Sequence, residues 1–222
     1  MPQKYHSKPN PRSQSPIPSP QYPVLSPQSP VPSPQNEPSP FLSCYFSLMI
    51  TVIVSTNRKE STTARVARLT TELLEQRGEE VRVLNLAELP ADFFQTTMYD
   101  VRTPQFLEMF NFYIEPARHL VFVIPEYNGS YPGVLKLFID ASPVKSFWNK
   151  HASMIGLSDG HAGNMRGQDH LTGVLHYLKM HVHYHKPKLS NISKSFDSEG
   201  RLINERYVTQ LEEHATLIIQ PL

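Results

Sequence analysis

Residues 55–63, STNRKESTT, concentrate side chains that could hold a phosphate group. They lie between an apolar, β-rich run and a stretch with helical spacing of apolar residues. A helix N-terminus offers free N–H groups and a partial positive charge, which together favour an anion. A dinucleotide loop needs glycines so that its backbone can approach a pyrophosphate, and this loop has none. The sequence therefore predicts a terminal phosphate monoester held by Ser55, Thr56, Arg58, Ser61, Thr62 and Thr63.

An ordinary helix start is the alternative interpretation of this loop. A Ser or Thr N-cap satisfies one backbone N–H group with one hydroxyl. The loop carries several more hydroxyls than a cap needs, which favours the phosphate.

A second loop, PEYNGSYPG from residue 125, has groups that suit a planar heteroaromatic ring. Its first proline fixes the backbone direction and its first glycine permits a tight turn. The tyrosine can lie flat against a ring, while the asparagine and backbone N–H groups can bond to ring heteroatoms. A capping aromatic at the sheet edge and a carboxylate that holds the loop internally are the alternatives. The candidate residues are Pro125, Glu126, Tyr127, Asn128 and Gly129.

A third loop, SDGHAGNMRG at residues 158–167, would approach the same ligand from the other side of the third strand. Its glycines would let the backbone come close to a ligand, although they are also typical of plain turns. The candidate residues here are Ser158, Asp159, Gly160 and Gly163.

The elements that carry these loops alternate between strand and helix patterns. Strands are predicted at 50–55, 81–86, 119–124, 152–158 and around 181–185, and helices at 61–77, 104–117, 133–141, 165–180 and 204–219. Such alternation predicts an α/β fold with a five-stranded, doubly wound parallel sheet and helices on both faces. Ligands of these sheets bind beyond the carboxyl ends of strands, which is where all three loops begin.

Residues 1–48 differ from the rest in composition. Of the 21 prolines, 13 lie in residues 1–40, with Ser and Gln between them. Such a segment buries too little apolar surface to fold, so we predict a disordered extension followed by one domain at 49–222. Its PxxP spacing would suit an SH3-like domain. Met49 directly precedes the first strand, which leaves open a natural extension or a misread start.

Charge and cysteine content exclude several classes of partner. The formal net charge is +1, so no strong field selects nucleic acid. The single cysteine, Cys44, cannot form an internal disulfide, which favours a reducing, cytoplasmic location. Serines interrupt the longest apolar stretch, around residues 41–54, and it is too short to predict a membrane span.

The three loops together resemble the NAD(P)H-dependent FMN reductase family of flavodoxin-like fold. The motifs STNRKES, PEYNGSYPGVLKLFID and SDGHAGNMRG occur in that order, and the second is the most specific. The resemblance covers residues 49 to about 220 and implies strand order 2-1-3-4-5. It implies a bound FMN, with its phosphate on Thr56, Arg58, Ser61 and Thr63. Its isoalloxazine would meet residues 125–128, with Ser158 and Gly160 nearby.

The same resemblance implies an oxidoreductase. FMN would take a hydride from NADH or NADPH and pass electrons to a flavin, quinone, azo compound or metal complex. A flavin carries this chemistry itself, so no side chain is predicted to transfer a proton. A homodimer or homotetramer is implied as well. The alternative is an electron carrier without NAD(P)H turnover, although carriers more often have an acidic face and this chain is nearly neutral.

A hydrolase is a further alternative, because GLSDG matches the G-x-S-x-G nucleophile elbow. Ser158 would be the nucleophile, and Asp169 or Asp197 followed by His214 would give the hydrolase chain order. Residues 161–164 separate the serine from the next helix, which disfavours a sharp elbow.

A metal site is the last alternative. His181, His183 and His185 alternate, so a strand would place them on one face. No carboxylate or cysteine pattern accompanies them, and the prediction is no metal.

Overall fold

The computed structural model of the protein describes residues 49–93, 99 and 101–220, so the predicted extension at 1–48 lies outside the described residues. The strands are β1 (Ile50–Val54), β2 (Val81–Asn85), β3 (His119–Pro125), β4 (His151–Leu157), β5 (His181–Val182) and β6 (Lys188–Leu189). The helices are α1 (Thr62–Glu75), α2 (Pro104–Tyr113), α3 (Gly133–Ala141), α4 (Met165–Tyr177) and α5 (Glu205–Ile218). Within the described residues, none of the helices is long and apolar enough to cross a membrane.

The sheet has the predicted order, β2-β1-β3-β4-β5, with every pair parallel. The fifth position differs from the prediction because two short strands share it. β5 pairs with the start of β4, and β6 pairs with its end. Pro187 lies between them and has no N–H group to give to the ladder. The fifth strand predicted around 181–185 is therefore confirmed in position, but it is only His181–Val182, and β6 continues the edge of the sheet.

Helix starts follow the sequence closely, but helix ends do so less well. α4, predicted to reach residue 180, ends at Tyr177. Ser61 caps α1, its hydroxyl accepting the Ala64 N–H at 3.2 Å. The helix predicted to reach residue 117 ends at Tyr113 instead. Pro116 explains this, because a proline disfavours helical backbone in the residue before it.

Two apolar clusters cover the two faces of the sheet, as predicted for a doubly wound fold. One cluster joins the sheet to α2, α3 and α4 and contains Phe106, Phe110 and Phe138. The other joins it to α1 and α5 through side chains such as Val66 and Leu211. Both clusters hold the strands rigidly, so the loops at their carboxyl ends start from fixed positions.

Histidines collect at the opposite, amino end of the sheet. The rings of His119, His151 and His181 lie side by side, with centroids 5.9 and 5.2 Å apart. His183 and His185 instead flank the buried His214, with ring centroids 6.2 and 5.2 Å from its own and with Nδ1 of His185 3.0 Å from Nδ1 of His214. The alternating histidines therefore do not form one cluster, and the described part of the chain has no group of three side chains placed to hold a metal ion.

Burial determines how two of these histidines titrate. Burial, with help from His151 and Arg118, lowers the pKa of His119 to about 3. Burial and the neighbouring His185 also lower the pKa of His214 well below its usual range. Both rings are therefore neutral in the folded protein at pH 7.

These lowered pKa values predict a loss of stability in mild acid. Below the unfolded pKa of about 6.5, these histidines are protonated in the unfolded chain but stay neutral in the folded protein. The free energy of unfolding is therefore highest above that pH and falls as the pH drops below it. Going from pH 7.5 to 5.5 should cost about 1.4 kcal/mol for each of the two histidines, measured by urea unfolding. His119→Asn should remove the part of this pH-dependent loss that His119 causes. His161→Asn, at an exposed position, should leave the loss unchanged. Equal stability at both pH values would contradict the prediction.

Candidate functional site

The three predicted loops begin at one edge of the sheet. They leave β1, β3 and β4, which are neighbours in the sheet. Backbone bonds continue the alignment past the strands, because Ser55 N–H donates to Val123 O at 3.0 Å and Glu126 N–H donates to Leu157 O at 2.8 Å. The three loops therefore start side by side at this edge, as the sequence predicted.

The first two loops meet through Thr56 and Tyr127. Thr56 Oγ1 lies 2.6 Å from Tyr127 Oη and also accepts the Arg58 N–H at 3.2 Å. The Arg58 guanidinium lies 4.8 Å from the centre of the tyrosine ring. When Tyr127 is the donor, the hydroxyl hydrogen of Thr56 remains free for an anion. We call this arrangement of Thr56, Arg58 and Tyr127 the Thr–Tyr corner.

The start of α1 keeps donors available beside this corner. In the described part of the chain, the N–H groups and hydroxyls of Thr62 and Thr63 make no hydrogen bond. Ser61 uses its oxygen to cap the helix, which leaves its hydrogen to donate. Ser55 differs, because its buried hydroxyl donates to Ile53 O at 3.3 Å. Its side chain is thus turned toward the strand.

The second loop folds into a tight hairpin turn at Asn128 and Gly129. Tyr127 N–H donates to Ser130 O at 2.9 Å, and Ser130 N–H donates to Tyr127 O at 3.1 Å. Asn128 and Gly129 both have positive φ, 51° and 76°, as a type I′ turn requires. The N–H groups of both central residues have no partner among the described residues. The turn therefore leaves two backbone donors available.

Glu126 and helix α4 complete the surroundings of this turn. The Glu126 carboxylate makes no hydrogen bond or ion pair within the described residues. From α4, His170 Nδ1 lies 2.9 Å from Ser130 Oγ. Arg166 packs over Gly129, where an added Cβ would lie 2.7 Å from its Nη1. Neither α4 residue was among the sequence candidates, because no local pattern links them to a loop 40 residues away.

The third loop is held by its own hydrogen bonds. Ser158 Oγ donates to Gly160 O at 3.0 Å and accepts the Gly163 N–H at 2.9 Å. Asp159 Oδ1 accepts the Ser193 N–H at 3.2 Å. The side chains of Ser158 and Asp159 therefore shape the loop.

The same bonds remove the support for a hydrolase at Ser158. Its hydroxyl is engaged within the loop, and α4 begins only at Met165. His214 bonds to His185, and its other ring nitrogen has no partner among the described residues. No serine–histidine pair is assembled there.

Asn164 is a structural residue that the sequence candidates missed. It is fully buried and has a positive φ of 59°. Its Nδ2 donates to Ile124 O at 3.1 Å, and its Oδ1 accepts the Gly167 N–H at 3.1 Å. It thereby joins the end of β3 to the start of α4. Asparagine directly before a helical pattern is a recognisable N-cap signal.

Comparison with known proteins identifies the family. The profile of a family described as NADPH-dependent FMN reductase matches residues 48–190, which include all three loops. The chain belongs to this family. It is an oxidoreductase that uses FMN as cofactor and NAD(P)H as electron donor.

Two curated relatives have similar sequences. An NAD(P)H-dependent FMN reductase of Pseudomonas aeruginosa is 33% identical over 134 residues, which are 58% of this chain and 71% of the relative. A 2-hydroxy-1,4-benzoquinone reductase of Burkholderia sp is 30% identical over 165 residues, 72% of this chain and 87% of the relative.

Solved structures of similar fold include a flavoenzyme NAD(P)H:(acceptor) oxidoreductase of Paracoccus denitrificans. Its TM-score is 0.66 at 23% identity, covering 77% of this FMN reductase and 94% of that chain. A flavodoxin from the domain Archaea has a TM-score of 0.50 at 14% identity, and the match covers 77% of this chain and 95% of the flavodoxin. At these identities the likeness shows the fold, which is flavodoxin-like as predicted.

The close approach of β4 to the third loop predicts the effect of a single methyl group. A Cβ at Gly156 would collide with Gly163 O and lie 2.9 Å from the Gln168 side chain. Gly156→Ala should therefore destabilise the enzyme by about 2 kcal/mol and lower its melting temperature. Gly173→Ala in α4 has open space around its Cβ and should be neutral or stabilising. An unchanged melting temperature for Gly156→Ala would show that the loop does not pack as described.

Proposed function

We propose that this FMN reductase transfers electrons from NAD(P)H to quinones at the edge of the sheet where the three loops meet. Two electrons and two protons convert a quinone to its hydroquinone, while NADPH becomes NADP⁺ and solvent supplies one proton. The Burkholderia relative supports a quinone acceptor through its own name. The single observation that carries the proposal is the Thr–Tyr corner, where the loop that leads into α1 touches the second loop.

The chain's own residues fit the two ends of FMN. The hydroxyls of Thr56 and Ser61 and the free hydroxyl and N–H donors of Thr62 and Thr63, with the Arg58 cation, match the several oxygens of one phosphate group. The positive end of the α1 dipole adds to the attraction. Ser55 would only order the start of the loop, because its N–H donates to Val123 O and its hydroxyl donates to Ile53 O.

The second and third loops fit the ring. The unpartnered N–H groups of Asn128 and Gly129 would donate to ring heteroatoms, and Pro125 and Glu126 give the loop its direction. The rigid backbone at Ser158, Asp159, Gly160 and Gly163 would border the ring from the side of β4. FMN when bound would supply the hydride and electron chemistry, so the protein needs to orient it and admit the acceptor.

Flavin specificity tests the phosphate end of this proposal. Arg58→Gln and Thr63→Val should each raise the Kd for FMN about tenfold, because each removes one group that meets the dianion. The Kd for riboflavin, which lacks the phosphate, should change little. Fluorescence titration of apoprotein measures both constants.

The FMN-loaded enzyme should also oxidise NADPH when 1,4-benzoquinone is added, whereas an electron carrier would not.

Lys59→Gln is the matched control for Arg58→Gln. It removes the same charge from a neighbouring exposed position that makes no contact with Tyr127. Equal losses of FMN and riboflavin affinity, or equal effects of the two substitutions, would contradict the assigned phosphate site.

We further propose that two copies pair through the groove between α3 and α4. This groove of about 640 Å³ has exposed apolar walls, with Tyr177 84%, Tyr99 60% and Val144 50% exposed. A Lys136–Asp140 ion pair of 2.7 Å also lies in it, so the face carries both charge signs, as a two-fold contact needs. A cytoplasmic location completes the proposal, because NAD(P)H is supplied there.

Sedimentation velocity tests the pairing. The wild-type protein should sediment as a dimer or larger assembly, and Tyr177→Arg should shift it toward the monomer by burying a charge in the contact. Tyr184→Arg, at a site 74% exposed outside the groove, is the matched control. A monomeric wild type would disprove the proposed interface.

A further inference from the structure

A second groove, of about 440 Å³, opens beside the first loop. Its volume is in the range of small-molecule sites. Of its nine lining residues, Asn57 is the polar one, and the walls include Leu86, Leu89, Val134 and Leu137. None of the nine is charged, so the groove offers nothing to the phosphates of NAD(P)H or FMN. We call it the apolar groove.

The apolar groove is lined by two residues that are close in sequence to the proposed flavin site. Asn57 follows Thr56, whose hydroxyl lies 2.6 Å from Tyr127 Oη. Val134, on the other wall, lies at the start of α3 directly after the second loop. The lining of the groove therefore includes a residue of the first loop and a residue directly after the second loop, which we propose borders the flavin ring.

Its walls are apolar surface left partly open to water. Leu86 and Phe93 are buried at its base, whereas Leu89, Val134 and Leu137 are half-buried and Asn57 is exposed. An aliphatic group that filled the groove would remove these side chains from water, which is favourable in proportion to the apolar area covered.

We propose that the apolar groove binds the alkyl or prenyl substituent of a lipophilic quinone while the quinone ring reaches the flavin. The inference rests on the proposed quinone reductase activity and deepens it, because it specifies which quinones the enzyme prefers. The groove thereby separates the two substrates, since it takes an uncharged chain and would reject the phosphates of the nicotinamide donor.

A matched series of quinones tests this proposal. The probes are 2,3-dimethoxy-5-methyl-1,4-benzoquinone and the same ring with a prenyl group added. Each methylene fully removed from water favours binding about fourfold, so kcat/KM should be at least about tenfold higher for the prenyl quinone. Leu137→Gln and Leu89→Gln, on opposite walls, should each reduce this ratio to about twofold or less. Ile203→Gln, at an exposed position outside the groove, should preserve the ratio.

Calorimetric titration of the flavin-loaded, oxidised enzyme measures binding without turnover. The Kd for the prenyl quinone should be lower than for the bare ring in the wild type, and the difference should shrink in both groove variants. A ratio near one in the wild type, or an unchanged ratio in both variants, overturns the proposal. Failure to oxidise NADPH with the bare quinone overturns the quinone reductase function instead, whatever the titration gives.

Discussion

Parallel pairing of β1, β3 and β4 is the constraint on which the site depends. Strands that run in one direction end at one edge, so loops that are far apart in sequence begin side by side. The apolar clusters on both faces of the sheet fix this alignment. Two residues extend this alignment into the third loop. Gly156 allows β4 to approach the loop closely, and Asn164 bonds the start of α4 to the end of β3.

The loops are shaped by bonds within the protein itself. The turn at Asn128 and Gly129 is closed by its own backbone bonds, and the Thr–Tyr corner joins residues 71 positions apart. Groups that are already ordered lose less conformational entropy on binding, so more of the contact energy becomes affinity. The donors left over lie on the α1 terminus and on the turn, where we propose that the phosphate and the ring of FMN bind.

Most of the fold could be predicted because buried parallel strands are continuous apolar runs and helices have a 3.6-residue period. The split fifth strand could not, since β5 and β6 have two residues each and their pairing depends on β4. The end of α2 was marked by Pro116 in the sequence. The three loops were found from residue types, but the inward turn of the Ser55 hydroxyl and the internal bonds of Ser158 depend on tertiary contacts that no local pattern contains.

The central claim is that one phosphate is held at the start of α1 while its attached ring lies along the second loop. A crystal structure of the protein with bound FMN tests it most directly. The account predicts phosphate oxygens within hydrogen-bonding distance of the Thr62 and Thr63 N–H groups, and the isoalloxazine against Tyr127 and Asn128. Flavin bound elsewhere, or this crevice filled by the protein's own side chains, would contradict it.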